Sequence, residues 1–428
     1  MMHNVTSTHI GPQGRALAAW AVSRAALMLF VFRVARFPGQ VILHDVSDVY
    51  QGWYPVLRGG SFPAHDVTWQ YPPGAAAVMV APAAVPFLGY ASAFFCLALL
   101  ADAVVLAALL VDARRSGRLT GAWVWIGGVV LGGPIVYARY DVMVTAVAVL
   151  ALLALRRRPA VAGVLAGVGA LLKVWPVLVL IGARRGRETR RSWAWAAGTA
   201  AGGAALFALT MPGAFSFVTA QRDRGTEVES LGATVFHVWR HFGWHGRSTM
   251  HYGSVEFLGP HVHAVSAGAL ALSVLAFGWL LWWRLRARTF GASTPYDAAF
   301  AALLVFTTTS RVISPQYMVW LVGAGAVCLT LAGTVQRLPV VLTLAATLCT
   351  TLEFPVFFTY VSQSDLWGVL LLTTRNGLLV AASVIACRRL WAATVPSRAE
   401  RAAQRPGGAA DAASAYAPGT SGTSGTSG

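Results

Sequence analysis

Residues 91–112 read ASAFFCLALLADAVVLAALLVD. One acid, Asp102, interrupts an otherwise apolar interior, and the run matches the ~20 residues at ~1.5 Å each that cross roughly 30 Å of hydrocarbon. The stretch is therefore read as a membrane span. Comparable runs recur from Ala16 to Cys387, and with 56% hydrophobic against 11% charged residues the chain holds more apolar surface than a soluble fold of its length could hide. A bilayer is its solvent.

The formal net charge of +17 could signal nucleic acid, but the Arg residues sit in short clusters between apolar runs instead of on one basic face. No nucleic-acid partner is expected. Cys96, Cys328, Cys349 and Cys387 lie in or at the ends of apolar runs without metal-ligand spacing, so neither a disulfide framework nor a metal or other cofactor is expected. The first apolar run lacks a small-residue cleavage site and is expected to stay as a span.

The Arg clusters work as topology signals. Arg184 to Arg191, Arg284 to Arg288, Arg337 and Arg388–Arg389 fall in alternate loops, which the positive-inside rule makes cytoplasmic. The spans between them run roughly over 193–210, 263–283, 297–310, 316–334, 338–353 and 367–386. Residues 211–262 and the turns Arg311 to Gln316 and Phe354 to Asp365 then lie outside. In the first half, Arg114–Arg118 and Arg156–Arg158 stay inside only if two interrupted stretches dip in and return. These are 74–90, with Pro82 and Pro86, and 160–182, broken at Lys173 to Pro176. Full spans are then 16–35, 91–112, 121–136 and 141–155.

The expected fold is thus an all-α polytopic membrane protein of about ten full transmembrane helices plus broken or re-entrant segments. Residues 1–15 form a cytoplasmic N-terminus, 16–390 a transmembrane domain with outer loops 36–73 and 211–262, and 391–428 a disordered cytoplasmic tail whose Thr-Ser-Gly repeats cannot bury a core.

Candidate chemistry collects on the outer loops. The first carries His44, Asp45, Asp48, Tyr50, Trp53 and Tyr54, then His65, Asp66, Trp69 and Tyr71-Pro72-Pro73-Gly74. An interfacial amphipathic helix accounts for the aromatics. The acids ask for more: Asp45 and Asp48, three apart, share a face of an α-helix, where a carboxylate could take a proton from a hydroxyl or two could hold a divalent cation. Boundary charges are costly and therefore informative. Asp102 and Arg375 suit structural pairing, whereas Arg139, Asp141, Lys173 and Arg311 suit a site, and Lys173 in a broken segment needs an anion or a polar cavity. The second loop adds Arg222, Arg224 and Glu229, and the turn before Gln316-Tyr317 adds Arg311. A fork of Arg donors matches phosphate, and acids match sugar hydroxyls.

Asp48-x-Tyr50, Tyr71-Pro72-Pro73-Gly74, Arg139-Tyr140-Asp141, Lys173-x-Trp175-Pro176, Arg224-Gly225 through Glu229-Ser230, and Ser314-Pro315-Gln316-Tyr317 together resemble glycosyltransferase family 87. The resemblance spans about residues 16–390 and points to the polyprenyl-phosphate-mannose-dependent mannosyltransferases of actinobacteria and to the GT-C membrane superfold. It implies transfer of a hexose, with inversion, from a polyprenyl-phosphate-sugar donor to a glycolipid or glycan acceptor at the outer face of the plasma membrane. It also implies that Asp48 is the base, with Asp45 close enough to exchange roles and His44 assisting. Tyr50, Tyr71, Arg139, Asp141, Lys173, Arg222, Arg224, Glu229, Arg311, Gln316 and Tyr317 become donor- or substrate-binding candidates. The competing class is a transporter or lipid flippase, which also uses broken helices and buried charge. Polar residues at one face, not at the midplane, favour the transferase.

Overall fold

The computed structural model describes residues 11–222 and 225–396, without the side chains of 220–222. The chain is mostly helical, with few strands. Among the described residues, five helices are long and apolar enough to cross a membrane: Pro12–Val31, Tyr90–Ser116, Val262–Arg286, Arg337–Val356 and Leu366–Thr394. Shorter apolar helices, among them Asp141–Leu155, Pro159–Leu172 and Tyr317–Cys328, fill the space between them. Leu366–Thr394 runs past the boundary expected at residue 390. The tail from 397 onward lies outside the described residues.

What holds the bundle at Asp102 is a carboxylate with five side-chain donors. Arg24 donates from Nε at 2.8 Å and Nη2 at 3.1 Å, Trp20 and Trp125 donate their indole N–H at 2.9 and 2.7 Å, and Tyr137 donates its hydroxyl at 2.9 Å. Arg24 and Asp102 are both buried. A buried pair survives where the remaining lone pairs and protons are also bonded, as here. The expected structural role of Asp102 is what the structure shows, and its partner is Arg24, a second charge set within an apolar span.

Both interrupted stretches are irregular. Residues 75–80 form a short helix continued by a 3-10 turn at Ala81–Ala84. Pro159–Leu172 stops at Lys173, whose backbone is extended (φ −159°, ψ 135°), and Trp175–Leu180 continues as a 3-10 helix. Pro176 explains the stop: without an N–H it cannot bond the Leu172 carbonyl four residues back, and in a continued α-helix its ring would clash with that carbonyl. Gly163 and Gly167 put a small-xxx-small seam against Arg187–Thr210, where any Cβ would strike the backbone of Ser192 and Ala196.

The all-α expectation needs correction in residues 211–262. Thr226–Glu227 (β1), Arg247–His251 (β2) and Ser254–Leu258 (β3) form an antiparallel sheet in the order β1-β3-β2. Its hairpin pairs His251 with Ser254 across Tyr252-Gly253, both at positive φ (48° and 75°), the signature of a tight primed turn. Tyr in the left-handed region is uncommon, so this turn was not legible in advance. Phe257, Val228, Phe236 and Val262 close a small core beneath the sheet. In it His237 is buried between Ser364 Oγ (2.8 Å) and the Val228 carbonyl (2.8 Å).

Two measurements follow from these networks. Asp102→Ala leaves the Arg24 guanidinium buried without its anion and should lower stability by about 3–5 kcal/mol in detergent unfolding, with Arg24→Leu/Asp102→Ala recovering part of the loss. Equal stability of the double and single variants would show that the pair is not the source. Burial pushes His237 from 6.5 down to about 4. The unfolded chain therefore takes up a proton first, so the contribution is complete above 6.5 and is lost as pH falls towards 4, up to about 3 kcal/mol. Amide-exchange protection of β1–β3 should fall between pH 7 and pH 5 and should become flat in His237→Gln.

Candidate active site

The first loop enters the site through a wide π turn at Asp45–Tyr50. Its i→i+5 spacing rotates successive residues differently from an α-helix, so the expected shared face of Asp45 and Asp48 does not form. Asp45 turns to the bundle, with Oδ2 2.8 Å from Arg139 Nε, and is 28% exposed. Asp48 turns away, is 62% exposed, and meets His44 Nδ1 at 3.0 Å.

Arg139 is presented by a chain break. The helix Thr120–Gly132 ends at Gly133, whose φ of 67° suits glycine, and Pro134–Val136 makes one 3-10 turn before Arg139. Its Nη1 donates to the carbonyls of Ile42 (3.0 Å) and Ala138 (2.8 Å), which ties the first loop to this break. Burial penalises the guanidinium, but Asp45 and the nearby Tyr50, Tyr71 and Asp141 hold its pKa above the ordinary value.

Next to it, Lys173 Nζ lies 2.6 Å from Asp141 Oδ1, and Trp320 Nε1 donates to the same oxygen at 2.7 Å. The ammonium faces a cage of rings: Trp320 at 4.7 Å, Tyr140 and Tyr317 at 5.1 Å, and Tyr71 at 6.0 Å from the centroids. Ring faces and a carboxylate together compensate a cation taken from water. Tyr71 stands edge-on to Tyr140 (5.2 Å) and Tyr50 (6.5 Å), so the Tyr-Pro-Pro-Gly entry closes one side of this cage.

The other loops lock onto the same end of the bundle. Glu227 accepts from Ile313 N at 2.7 Å and Ser314 Oγ at 3.0 Å, while its own N–H donates to the Arg311 carbonyl at 3.2 Å. This pins the turn that carries Arg311, Gln316 and Tyr317. Glu229, from the second outer loop, is buried, with Oε1 3.9 Å from Arg375 Nη2. Arg375 is committed to Glu353 by bonds of 2.9 and 3.0 Å. Burial first, then Glu353 and Glu227, pushes the Glu229 pKa well up. Loop residues next to buried Arg375 cannot remain solvated, which the charge pattern alone did not reveal.

Asp45, Tyr50, Tyr71, Arg139, Asp141, Lys173 and Tyr317 therefore form one cluster, with Glu229 at its edge, where Arg375 and, more weakly, Arg139 favour its charged form. His44 and Asp48 lie on the opposite side of the π turn. The side chain of Arg222 and all of Arg224 lie outside the described residues. Trp320 was not anticipated; its spacing three after Tyr317 on a helix was the available signal.

A helical membrane protein that gathers two carboxylates, each paired with a cation, and aromatic rings at one end has the parts of a membrane-embedded group-transfer enzyme. The model of glycosyltransferase family 87 matches residues 69–315, more than half of the chain, and the chain belongs to that family. It is thus a glycosyltransferase, which decides against the transporter reading. No curated protein and no solved structure matches it.

Proposed function

We propose that the chain moves a hexose, mannose by its resemblance, from a polyprenyl-phosphate-sugar donor to a glycolipid or glycan hydroxyl, with inversion. The reaction takes place at the outer face of the plasma membrane, in a bundle of about ten spans with both termini cytoplasmic. The observation that carries this reading is the Asp45–Arg139 pair beside Asp141–Lys173 at one end of an apolar bundle. A lipid-linked donor needs an apolar environment for its chain and cations at the boundary for its phosphate.

Arg139 and Lys173 are oriented by their carboxylates before any substrate arrives. As the anomeric carbon–oxygen bond breaks, its electron pair goes to the departing phosphate, and preoriented cations favour that charge over the ground state. Arg311, on the pinned turn, is a third phosphate partner in this proposal, with Arg222, Arg224 and Glu229 from the second loop. Tyr50, Tyr71, Asp141, Gln316 and Tyr317 line the donor.

The base is an acid of the first loop. The motif ranks Asp48 first, whereas the geometry supports Asp45: it is held 2.8 Å from Arg139 and is partly open, so that a hydroxyl attacking from the face of the sugar opposite the phosphate can reach it. Asp45 takes the acceptor hydroxyl proton as the oxygen attacks, and Asp48 with His44 meets the acceptor from the other side of the turn.

Purified protein in lipid nanodiscs with radiolabelled polyprenyl-phosphate-mannose and membrane extract should move label to a new lipid or glycan. Asp45→Asn should cut turnover by about 10²–10⁴-fold, or about 3–5 kcal/mol of barrier, and, by loosening Arg139, should weaken donor binding less than it slows turnover. Lys173→Ala should weaken both donor binding and rate. If Asp48→Asn abolishes turnover and Asp45→Asn does not, the base lies on the exposed side of the turn. Absence of transfer from every polyprenyl-phosphate sugar would overturn the donor. For topology, single cysteines at the exposed Val41 and Phe242, in a background without the native cysteines, should both label from outside the cell. An inward-facing Val41 would remove Arg139, which bonds the neighbouring Ile42 carbonyl, from an outer site.

A further inference from the structure

The face of the π turn that Asp48 occupies borders a cavity of about 1020 Å³. One wall is the helix Gln51–Arg58, through Gly52 and Trp53; the second is the loop from Ser61 to Thr68; the third is Pro212-Gly213 at the end of the helix Arg187–Thr210. Its volume stands at the upper limit of the ~300–1,000 Å³ usual for small-molecule sites, more than a single sugar ring needs.

The lining determines what chemistry fits. Among the described residues no Lys or Arg borders the cavity, while two carboxylates do, Asp48 and Asp66. A phosphate or other anion would be repelled there, so the cavity does not suit the head of the donor. A purely apolar ligand would strip water from His65 and from the remaining lone pairs of Asp48 and Asp66, each of which is only partly bonded within the protein. Trp53, Phe62 and the prolines alternate with these groups. Carboxylates accept from hydroxyls, and rings and prolines cover C–H faces, which is the double character of a pyranose.

Asp66 is held for this purpose. Trp53 Nε1 donates to its Oδ2 at 2.7 Å, and Thr68 donates its backbone N–H at 2.9 Å and its hydroxyl at 2.5 Å to Oδ1. Burial alone would raise its pKa, but these bonds together hold it below the ordinary value, so it stays an acceptor at neutral pH. Trp53 also stacks with Tyr50, whose ring faces Tyr140 in the donor cluster. The two sides of the turn are thus mechanically joined.

We propose that this cavity is a neutral-carbohydrate subsite that holds the sugar residues of the acceptor beyond the one attacked, with Asp48 and Asp66 accepting from their hydroxyls. That the ligand is the acceptor rests on the transferase reading; that it is a sugar rests on the lining. The sugars can come from a free oligosaccharide or from the headgroup of a glycolipid.

The test is binding, read without catalysis. Fluorescent mannotriose, and the same trisaccharide on a lipid anchor, are titrated against wild-type protein in nanodiscs, with inorganic phosphate as a competitor. Saturable binding that phosphate does not displace is expected. Gly52 has open space where a side chain would stand, so Gly52→Trp can fill the cavity from the helix. Ala64→Trp fills it from the facing loop, so one variant serves if the other does not fold. Each should weaken binding at least tenfold. Binding of the anchored form alone would identify a glycolipid source, and equal binding of both a glycan source. The proposal is overturned if neither trisaccharide binds saturably, if phosphate competes, or if both Trp variants bind as wild type does. Binding without transfer from any polyprenyl-phosphate sugar would remove the donor assignment and leave the subsite standing.

Discussion

A charge inside an apolar bundle is tolerated only with a counter-charge and with bonds to its remaining lone pairs and protons, and this constraint organises the molecule. Asp102 takes Arg24, Glu353 takes Arg375, and Asp141 takes Lys173. Each pair joins segments far apart in the chain, so each fixes one helix against another. The first two are fully enclosed and complete. The third is partly open, since Lys173 keeps 15% of its side-chain surface exposed and faces rings as well as a carboxylate. That difference separates the scaffold pairs from the pair in the candidate site.

The site follows from where helices are made to fail. Gly133-Pro134 ends one helix so that Arg139 can reach the first loop, and Pro176 ends another so that Lys173 sits in extended backbone beside Asp141. Unwound backbone near a membrane boundary is stable only where protein or a cavity satisfies it. Here the Tyr140 hydroxyl bonds the Leu172 carbonyl at 3.2 Å, and Arg139 bonds two more carbonyls. The side chains that suit phosphate chemistry thereby also stabilise the breaks that expose them.

The segment 211–262 acts as a clamp over this end. Glu227 grips the backbone at Ile313 and the hydroxyl of Ser314, Gln70 donates to the Tyr252 carbonyl at 2.7 Å, and Asn376 reaches Ser230 and Thr234. First loop, second loop and the turn at 310–317 are therefore one body. A bisubstrate transfer needs that rigidity, because reacting groups placed an ångström apart from their productive positions lose much of the rate.

Hydrophobicity and length by themselves determined the solvent, the helical class and the principal long spans, because apolar runs such as 91–112 have no other stable environment. Motif order also brought out most of the cluster, since Pro176, Gly133 and the boundary charges act locally. Pairing was beyond the sequence: nothing local links Arg24 to Asp102, Glu229 to Arg375, or Trp320 to Asp141. The separation of Asp45 from Asp48 was equally hidden, because a π turn and an α turn share the same composition and differ only in what packs against them. The three strands escaped for a like reason, their hairpin turning on a tyrosine held at positive φ. Tertiary structure decided these points because they depend on which partners a side chain meets, and those partners lie tens to hundreds of residues away.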